Sequence, residues 1–474
     1  MELKTKIIAT IGPASRNKAV LEQLIAAGVN VARLNFSHGS YEDHVTVIRR
    51  VRSISRTLNL PVGILLDLQG PKIRIGKLEE GRPVRLTAGQ PFTITTRPMP
   101  GNAQRVCTTY AGLARDVAPK DTILLDDGLI RLEVEQVSPE EVACRVVTGG
   151  LLGENKGINL PGVSVSAPSL TEKDRRDVNF GIQNSVDYFA LSFVRRAEDI
   201  LDIKAMLARQ GSAIPVVAKI EKPEAVENLD GILEQADALM VARGDLGVEM
   251  NPEFVPTIQK HIIHRCRQRN RLVITATQML ETMSLNPIPT RAEASDVANA
   301  IFDGTDAVML SGETASGQYP LEAVRMMAKI AHNSENSPFM AYNIQYATDP
   351  QDPITHAVAQ SAVNILHEID AKCIVAFSVS GGTSRQISKQ RPSKPVYAFS
   401  SRMDIYNRLS LLWGVTPMYI PNIDNAQRLI RSSENLLIQK GFVQTGDLIV
   451  LVIGMGLTEG STNMIKIHRV GHMD

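Results

Sequence analysis

Eight short, almost uninterrupted apolar runs, separated by amphipathic stretches, constrain this chain more than any other feature. They run from Lys6 to Ile11, Asn30 to Phe36, Val62 to Asp67, Asp187 to Phe193, Ile214 to Ile220, Ala238 to Arg243, Leu272 to Thr277 and Thr305 to Leu310. A strand with one wet face alternates apolar and polar residues, whereas a parallel strand buried on both faces reads as a continuous Val/Ile/Leu run. Eight such strands alternating with helices predict a closed (β/α)8 TIM barrel. The intervening pattern is helical: Val47, Val51, Ile54 and Leu58 recur at helix spacing behind Ser40 and Asp43, which are placed as a capping box.

The alternation is interrupted once, after the third strand. Between about residues 70 and 166 the period changes to two, as in Ile130, Leu132, Val134 and Val142, Cys144, Val146, which predicts a small all-β insertion. Asp126-Asp127-Gly128 within it reads as a hairpin turn rather than a metal site. Beyond Pro338 strands and helices alternate again without closing a barrel, so an open α/β sheet is expected. The resulting division is a barrel from 1–69 and 167–338, an inserted β-barrel from 70–166 and a C-terminal α/β unit from 339–474. For 474 residues, three domains agree with about 150 residues each.

A TIM barrel keeps its chemistry at the C-terminal ends of its strands. Those ends carry Arg33 and Asn35, Asp67, Ser192, Lys219 and Glu221, Asp245, Thr277 and Gln278, and Ser311 and Glu313. Lys219 and Glu221 are two apart, so a strand points both to one side: a cation for an oxyanion beside a carboxylate for a metal ion. Alone, such a pair is as often a structural ion pair; repetition of polar groups around the barrel shifts the balance to catalysis. Two hard carboxylates and a lysine suit magnesium-assisted chemistry on a phosphorylated small molecule. In the C-terminal unit, Ser378, Ser380, Gly381, Gly382 and Thr383 lie between a strand and a helix, where peptide N–H groups and hydroxyls form a phosphate cradle; a plain loop is the bland reading. His44, His261 and His264 read as helix-face histidines and Met326 and Met327 as packing residues.

Charge excludes some classes of function. With 51 basic and 50 acidic residues and a net charge of +1, nothing suggests nucleic acid or a membrane surface as partner. The four scattered cysteines and the strand-like first residues suggest a cytoplasmic protein.

Six motifs, in order, resemble the pyruvate kinase family: Ile11-Gly12-Pro13-Ala14-Ser15, Arg33-Leu34-Asn35-Phe36-Ser37-His38-Gly39, Asp67-Leu68-Gln69-Gly70-Pro71-Lys72-Ile73-Arg74, Ala218-Lys219-Ile220-Glu221, Ala242-Arg243-Gly244-Asp245-Leu246-Gly247 and Thr275-Ala276-Thr277-Gln278-Met279-Leu280-Glu281. The resemblance spans essentially the whole chain. It implies phosphoryl transfer from phosphoenolpyruvate to ADP, giving ATP and pyruvate. By motif, Lys219, Arg33, Thr277 and Ser311 would be catalytic and Glu221 and Asp245 would hold Mg2+, with Mn2+ a second candidate. Ala242, Arg243, Gly244 and Asp245 would meet the substrate beside Arg33, Lys219 and Thr277. Asn35, His38, Arg74 and Lys156 would meet the nucleotide. The resemblance also implies a homotetramer.

Two departures stand out. Where many members carry an acid and bind potassium, this chain has Lys72, near Asn35, Ser37 and Asp67; its ammonium would replace the ion, so no potassium requirement is expected. The loop Gly454 to Asn463 lacks the Trp and Arg that serve fructose 1,6-bisphosphate, so a sugar monophosphate or AMP is the expected activator. The competing readings are a magnesium-enolate lyase or aldolase, which would need neither Arg74, Lys156 nor a lid, and a catalytically silent metabolite sensor.

Overall fold

A computed structural model describes residues 3–343, 352–421, 426–454 and 462–472. The eight apolar runs form a closed parallel barrel whose strands are Lys6–Thr10, Val29–Asn35, Gly63–Asp67, Tyr188–Leu191, Val216–Ile220, Ala238–Ala242, Leu272–Ala276 and Ala307–Leu310. They follow one another around the barrel in sequence order, the eighth closing on the first. Their register aligns the C-terminal ends: Asn35 pairs with Asp67, Ile220 with Val241 and Ala242 with Ala276. Most strands stop one or two residues before the apolar run ends. The residues that follow leave the ladder: Arg243 opens a helix, while Phe193, Thr277 and Gln278 take positive φ.

The helix Tyr41–Leu58 is started by the expected reciprocal Ser40–Asp43 box and buries Val47, Val51 and Ile54. A second box, Thr171 with Asp174, starts Glu172–Gln183. Asp174 also accepts from the Gly70 N–H (3.1 Å), fixing the backbone where the chain leaves the barrel for the insertion. That insertion has its own core, with Ile75, Phe92, Leu132, Val142 and Cys144 buried. Its strands pair as a six-stranded sheet beside a two-stranded one, an open arrangement rather than a closed β-barrel. Asp126 and Asp127, both at positive φ, turn the chain between Thr122–Leu125 and Ile130–Val137, as the hairpin reading expected.

The C-terminal unit is a five-stranded open sheet, in the order Val415–Tyr419, Val396–Ser400, Ile374–Phe377, Leu448–Gly454, Thr462–Arg469, with only the last strand antiparallel. It docks on the barrel floor. Inward residues of the barrel, Ile8, Val31, Leu65 and Ile274, share one apolar cluster with Leu409, Leu411 and Leu412. A buried ion cluster fastens the same junction: Lys389 Nζ and Arg391 Nη2 grip the two Asp306 carboxylate oxygens at 2.5 and 2.9 Å, and Asp306 caps the Val273 N–H. Burial pushes the Asp306 carboxyl up, but Lys389 and Arg391 more than reverse this and hold it ionised. Among the described residues no helix is long and apolar enough to cross a membrane.

Removing one partner of a buried ion pair strands the other charge, at a cost of about 3–5 kcal/mol. Asp306→Asn is therefore expected to lower stability by roughly that amount in urea titrations, and Asp306→Asn with Lys389→Met and Arg391→Met to recover much of the loss. A single variant as stable as the parent would mean that the cluster does not fasten the junction.

Candidate active site

The fifth strand delivers Lys219 and Glu221 to its C-terminal end, and they meet as the i, i+2 spacing requires. Lys219 Nζ lies 2.8 Å from Glu221 Oε1, 3.4 Å from Asp67 Oδ1 and 2.8 Å from Ser192 Oγ. Arg33, from the second strand, closes on Asp67 from the other side (2.6 Å) and donates to Thr10 Oγ1 (2.8 Å). The second, third and fifth strands thus place two cations around one carboxylate that is 1 % exposed. Burial pushes Asp67 up, and Lys219 with Arg33 more than reverse it, so it stays an anion. Burial alone would lower Lys219, yet Asp67 and Glu221 hold it above the ordinary lysine range as an ammonium. Glu221 is shifted upward, by burial first and then by the nearby Asp245 charge against the pull of Lys219. Its second oxygen accepts from the Phe193 N–H at 2.7 Å.

Arg243 and Thr277 form the adjoining wall. Thr277 (φ 66°) and Gln278 (φ 52°) are in the left-handed region, which is costly for a β-branched residue. Arg243 holds this turn: its buried guanidinium donates to the carbonyls of Thr277 (2.8 Å) and Gln278 (3.1 Å) and pairs with Asp296 (2.6 Å). The Arg243 side chain is thus a clamp on this turn. Thr277 Oγ1 accepts from the Gly244 N–H (2.7 Å), joining the turn to the segment that carries Asp245. Ala242 ends the sixth strand, and its side chain is buried. Ser311 Oγ is buried without a hydrogen bond. Its N–H is fixed by Glu313, whose other oxygen takes the Leu280 N–H.

The lid side supplies cations. The Arg74 backbone bridges to Gly157, and its guanidinium donates to the Asn155 carbonyl (2.9 Å). Lys156 pairs with Asp126 at 2.8 Å, a partner within the lid. The Lys72 stem runs beside Gly157, in a cavity lined also by Asp127, Phe193, Asp245 and Glu249. Asp67, in contrast, is occupied by Arg33 and Lys219. Asn35 Oδ1 accepts from the Ser37 N–H (3.1 Å). Burial, then Arg74, Lys72 and Arg33 in that order, lower the pKa of His38, so these three cations and His38 share one region.

Several supporting groups were not chosen from the sequence. Glu249 Oε1 accepts from Lys222 Nζ (2.6 Å) and from Asn159 Nδ2 of the lid (2.8 Å). This joins the lid to the residue after Glu221 and to the end of the helix Arg243–Glu249. The four-residue spacing of Asp245 and Glu249 on a helix was the available signal. Ser192, noted only as a polar strand end, bridges Lys219 to the Leu68 carbonyl. In the C-terminal unit Gly381 (φ 92°) turns into the helix Gly382–Lys389. Ser378 Oγ there is buried and unpartnered, Thr383 meets Thr462 (2.5 Å), and Ser380 is exposed. Met455–Ser461, most of the neighbouring loop, lie outside the described residues.

Among the described residues no three His, Cys, Asp or Glu side chains could hold a metal alone. Glu221 and Asp245, whose charges act on each other, are hard oxygen donors of the kind a magnesium ion would take.

Fold and cluster together define a barrel enzyme with its buried charges gathered at the C-terminal strand ends. Comparison with known proteins gives the particular family. The pattern of "Pyruvate kinase, barrel domain" matches residues 2–324 and that of "Pyruvate kinase, alpha/beta domain" residues 356–468. Pyruvate kinase of Geobacillus stearothermophilus is 46% identical over all of this chain and 81% of its own length. Pyruvate kinase 2 of Synechocystis is 45% identical over 98% of this chain and 79% of its own. The crystal structure of a pyruvate kinase from Cryptosporidium parvum superposes with a TM-score of 0.92 at 36% identity, covering 99% of this chain and 96% of that one. The chain belongs to the pyruvate kinase family.

The shared cation field around His38 has a measurable sign. Each cation disfavours a second positive charge, so Lys72→Met is expected to raise the His38 pKa toward its ordinary value, read by histidine-selective NMR titration. An unchanged His38 titration would remove Lys72 from this region.

Proposed function

We propose that this enzyme transfers the phosphoryl group of phosphoenolpyruvate to ADP, giving ATP and pyruvate. The observation that carries the reading is the Lys219 ammonium held between Asp67, Ser192 and Glu221 at the strand ends. Phosphoryl transfer asks mainly for positioning and neutralised charge, and a buried, fixed cation supplies both without reorganising. Lys219 faces the moving phosphoryl group and then the enolate oxygen; Arg33, anchored on Asp67 and Thr10, grips the phosphate. Glu221 and Asp245 would hold Mg2+, or Mn2+, which adds positive charge at substrate oxygens. The peptide N–H groups of Gly244 and Asp245 receive the carboxylate, at the end of the run from Ala242 and Arg243. Thr277 and Ser311 belong to the proton path to the methylene carbon; the unpartnered Ser311 hydroxyl is free for that role.

The nucleotide lies between Arg74, Asn35 and His38, with Lys156 exchanging its Asp126 partner for phosphate as the lid closes. Closure tightens the Asn159–Glu249–Lys222 link and excludes water, which would otherwise intercept the phosphoryl group. Lys72 serves as a built-in monovalent cation beside the site formed by Asn35, Ser37 and Asp67; its lack of an ion pair among the described residues supports this reading. The buried, unpartnered Ser378 hydroxyl supports a phosphate cradle over Ser378, Ser380, Gly381, Gly382 and Thr383 for a sugar monophosphate or AMP. The assembly is a homotetramer working in the cytoplasm, a compartment consistent with the absence of a disulfide among the described residues.

Lys219→Arg keeps the charge but not its shape. It is expected to lower kcat by at least about a hundredfold, the scale of losing one transition-state donor, in a coupled pyruvate assay; preserved activity would reduce Lys219 to a structural ion pair. Stripping divalent ions with EDTA abolishes turnover. In buffer free of potassium and sodium, activity should equal that with KCl added, and activity appearing only with KCl would refute the role of Lys72.

A further inference from the structure

A cavity of 760 Å³ lies at the opposite end of the barrel, between its floor and the C-terminal unit. Its barrel side includes Arg52, Arg56 and Asp187, just before the fourth strand; the other side includes Tyr406, Arg408 and Tyr419. None of the phosphate-cradle residues lines it. Pockets for small molecules fall in this size range and favour domain junctions.

The charges in this cavity are unequally satisfied. Arg52 is engaged through both terminal nitrogens by Asp187 (2.8 Å) and the carbonyls of Val62 and Ser185, and Asp187 caps the Ile64 N–H. Asp404 is bound twice by Arg402, at 2.7 and 3.1 Å. Arg408 is left with a 3.7 Å approach to that same carboxylate, and its Nε is buried without a partner. Arg56 spends only Nε, on the Arg52 carbonyl, and is otherwise exposed. Both acids are thus neutralised by other arginines, while two guanidinium groups retain donors. A buried donor without an acceptor is costly, and a guanidinium fork matches phosphate geometry. Tyr406 and Tyr419 add an edge-to-face aromatic pair, 6.2 Å between ring centres, against which an organic body can pack. The Arg408 carbonyl accepts from the Tyr188 hydroxyl of the fourth strand (2.7 Å), so the residue is fixed to the barrel as well as to its own unit.

We propose that this cavity is a second effector site, binding a phosphate monoester of sugar or nucleoside size through Arg408 and Arg56, with its organic part against Tyr406 and Tyr419. Its position gives the ligand direct contact with both units, independently of the Ser378–Thr383 cradle.

The test is calorimetric titration of the full chain with glucose 6-phosphate, AMP and inorganic phosphate. Ser380→Asp places a negative charge in the cradle and removes binding there. In that background at least one of the two esters is expected to bind, more tightly than inorganic phosphate. Adding Arg56→Met or Arg408→Met should weaken this binding at least about tenfold, the scale of one charged hydrogen bond. Arg56 is exposed, so its variant folds even if Arg408→Met does not. Absence of binding by either ester in the Ser380→Asp chain, or binding unchanged by Arg56→Met, would overturn the proposal.

Discussion

The Asp67 carboxylate, buried between the Lys219 ammonium and the Arg33 guanidinium, is the interaction on which the site depends. It is a single negative charge from the third strand between cations from the fifth and second. Without it the two cations would repel each other in a dry place and Arg33 would lose the carboxylate it grips, while Lys219 would be left with Glu221 and Ser192. The barrel makes the arrangement possible, because its register brings the ends of the second, third and fourth strands level. Packing on both faces of those strands bears the desolvation cost that an isolated loop could not.

A second constraint acts on the backbone. Thr277 and Gln278 are held at positive φ by the buried Arg243 guanidinium, and the resulting turn aims Thr277 Oγ1 at the Gly244 N–H. Backbone strain at a site persists only where surrounding structure over-determines it; here the Arg243 guanidinium is held by four polar groups, the Thr277 and Gln278 carbonyls, Gln259 and Asp296. The same segment ends in Glu249, which reaches the lid through Asn159. One short helix therefore joins a metal-binding candidate, a strained turn and the inserted domain. The proposed floor cavity couples to the opposite ends of the same strands, through Asp187 and Tyr188.

The barrel was legible because strands buried on both faces cannot alternate, and eight such runs admit few folds. The Lys219–Glu221 contact followed from a spacing of two, and the Ser40 cap from a spacing of three. What could not be read depends on distant partners. The motif gave no sign that the Arg243 guanidinium donates to carbonyls 34 and 35 positions away. Nothing local shows that Lys156 meets Asp126 or that Asn159 meets Glu249, since each contact is made by tertiary folding. The lid sheet was likewise recognisable by period but not by closure, because closure depends on strand edges rather than on face patterning.

The central claim is that the buried cluster moves phosphate from one bound molecule to another without releasing it to water. Phosphorus-31 NMR of the enzyme with phosphoenolpyruvate, ADP and MgCl2 tests it most directly, by following every phosphorus species at once. The account predicts that the phosphoenolpyruvate signal is replaced one for one by the γ-phosphate of ATP, with no inorganic phosphate. Inorganic phosphate growing in step with loss of phosphoenolpyruvate, or pyruvate formed without ATP, would contradict it.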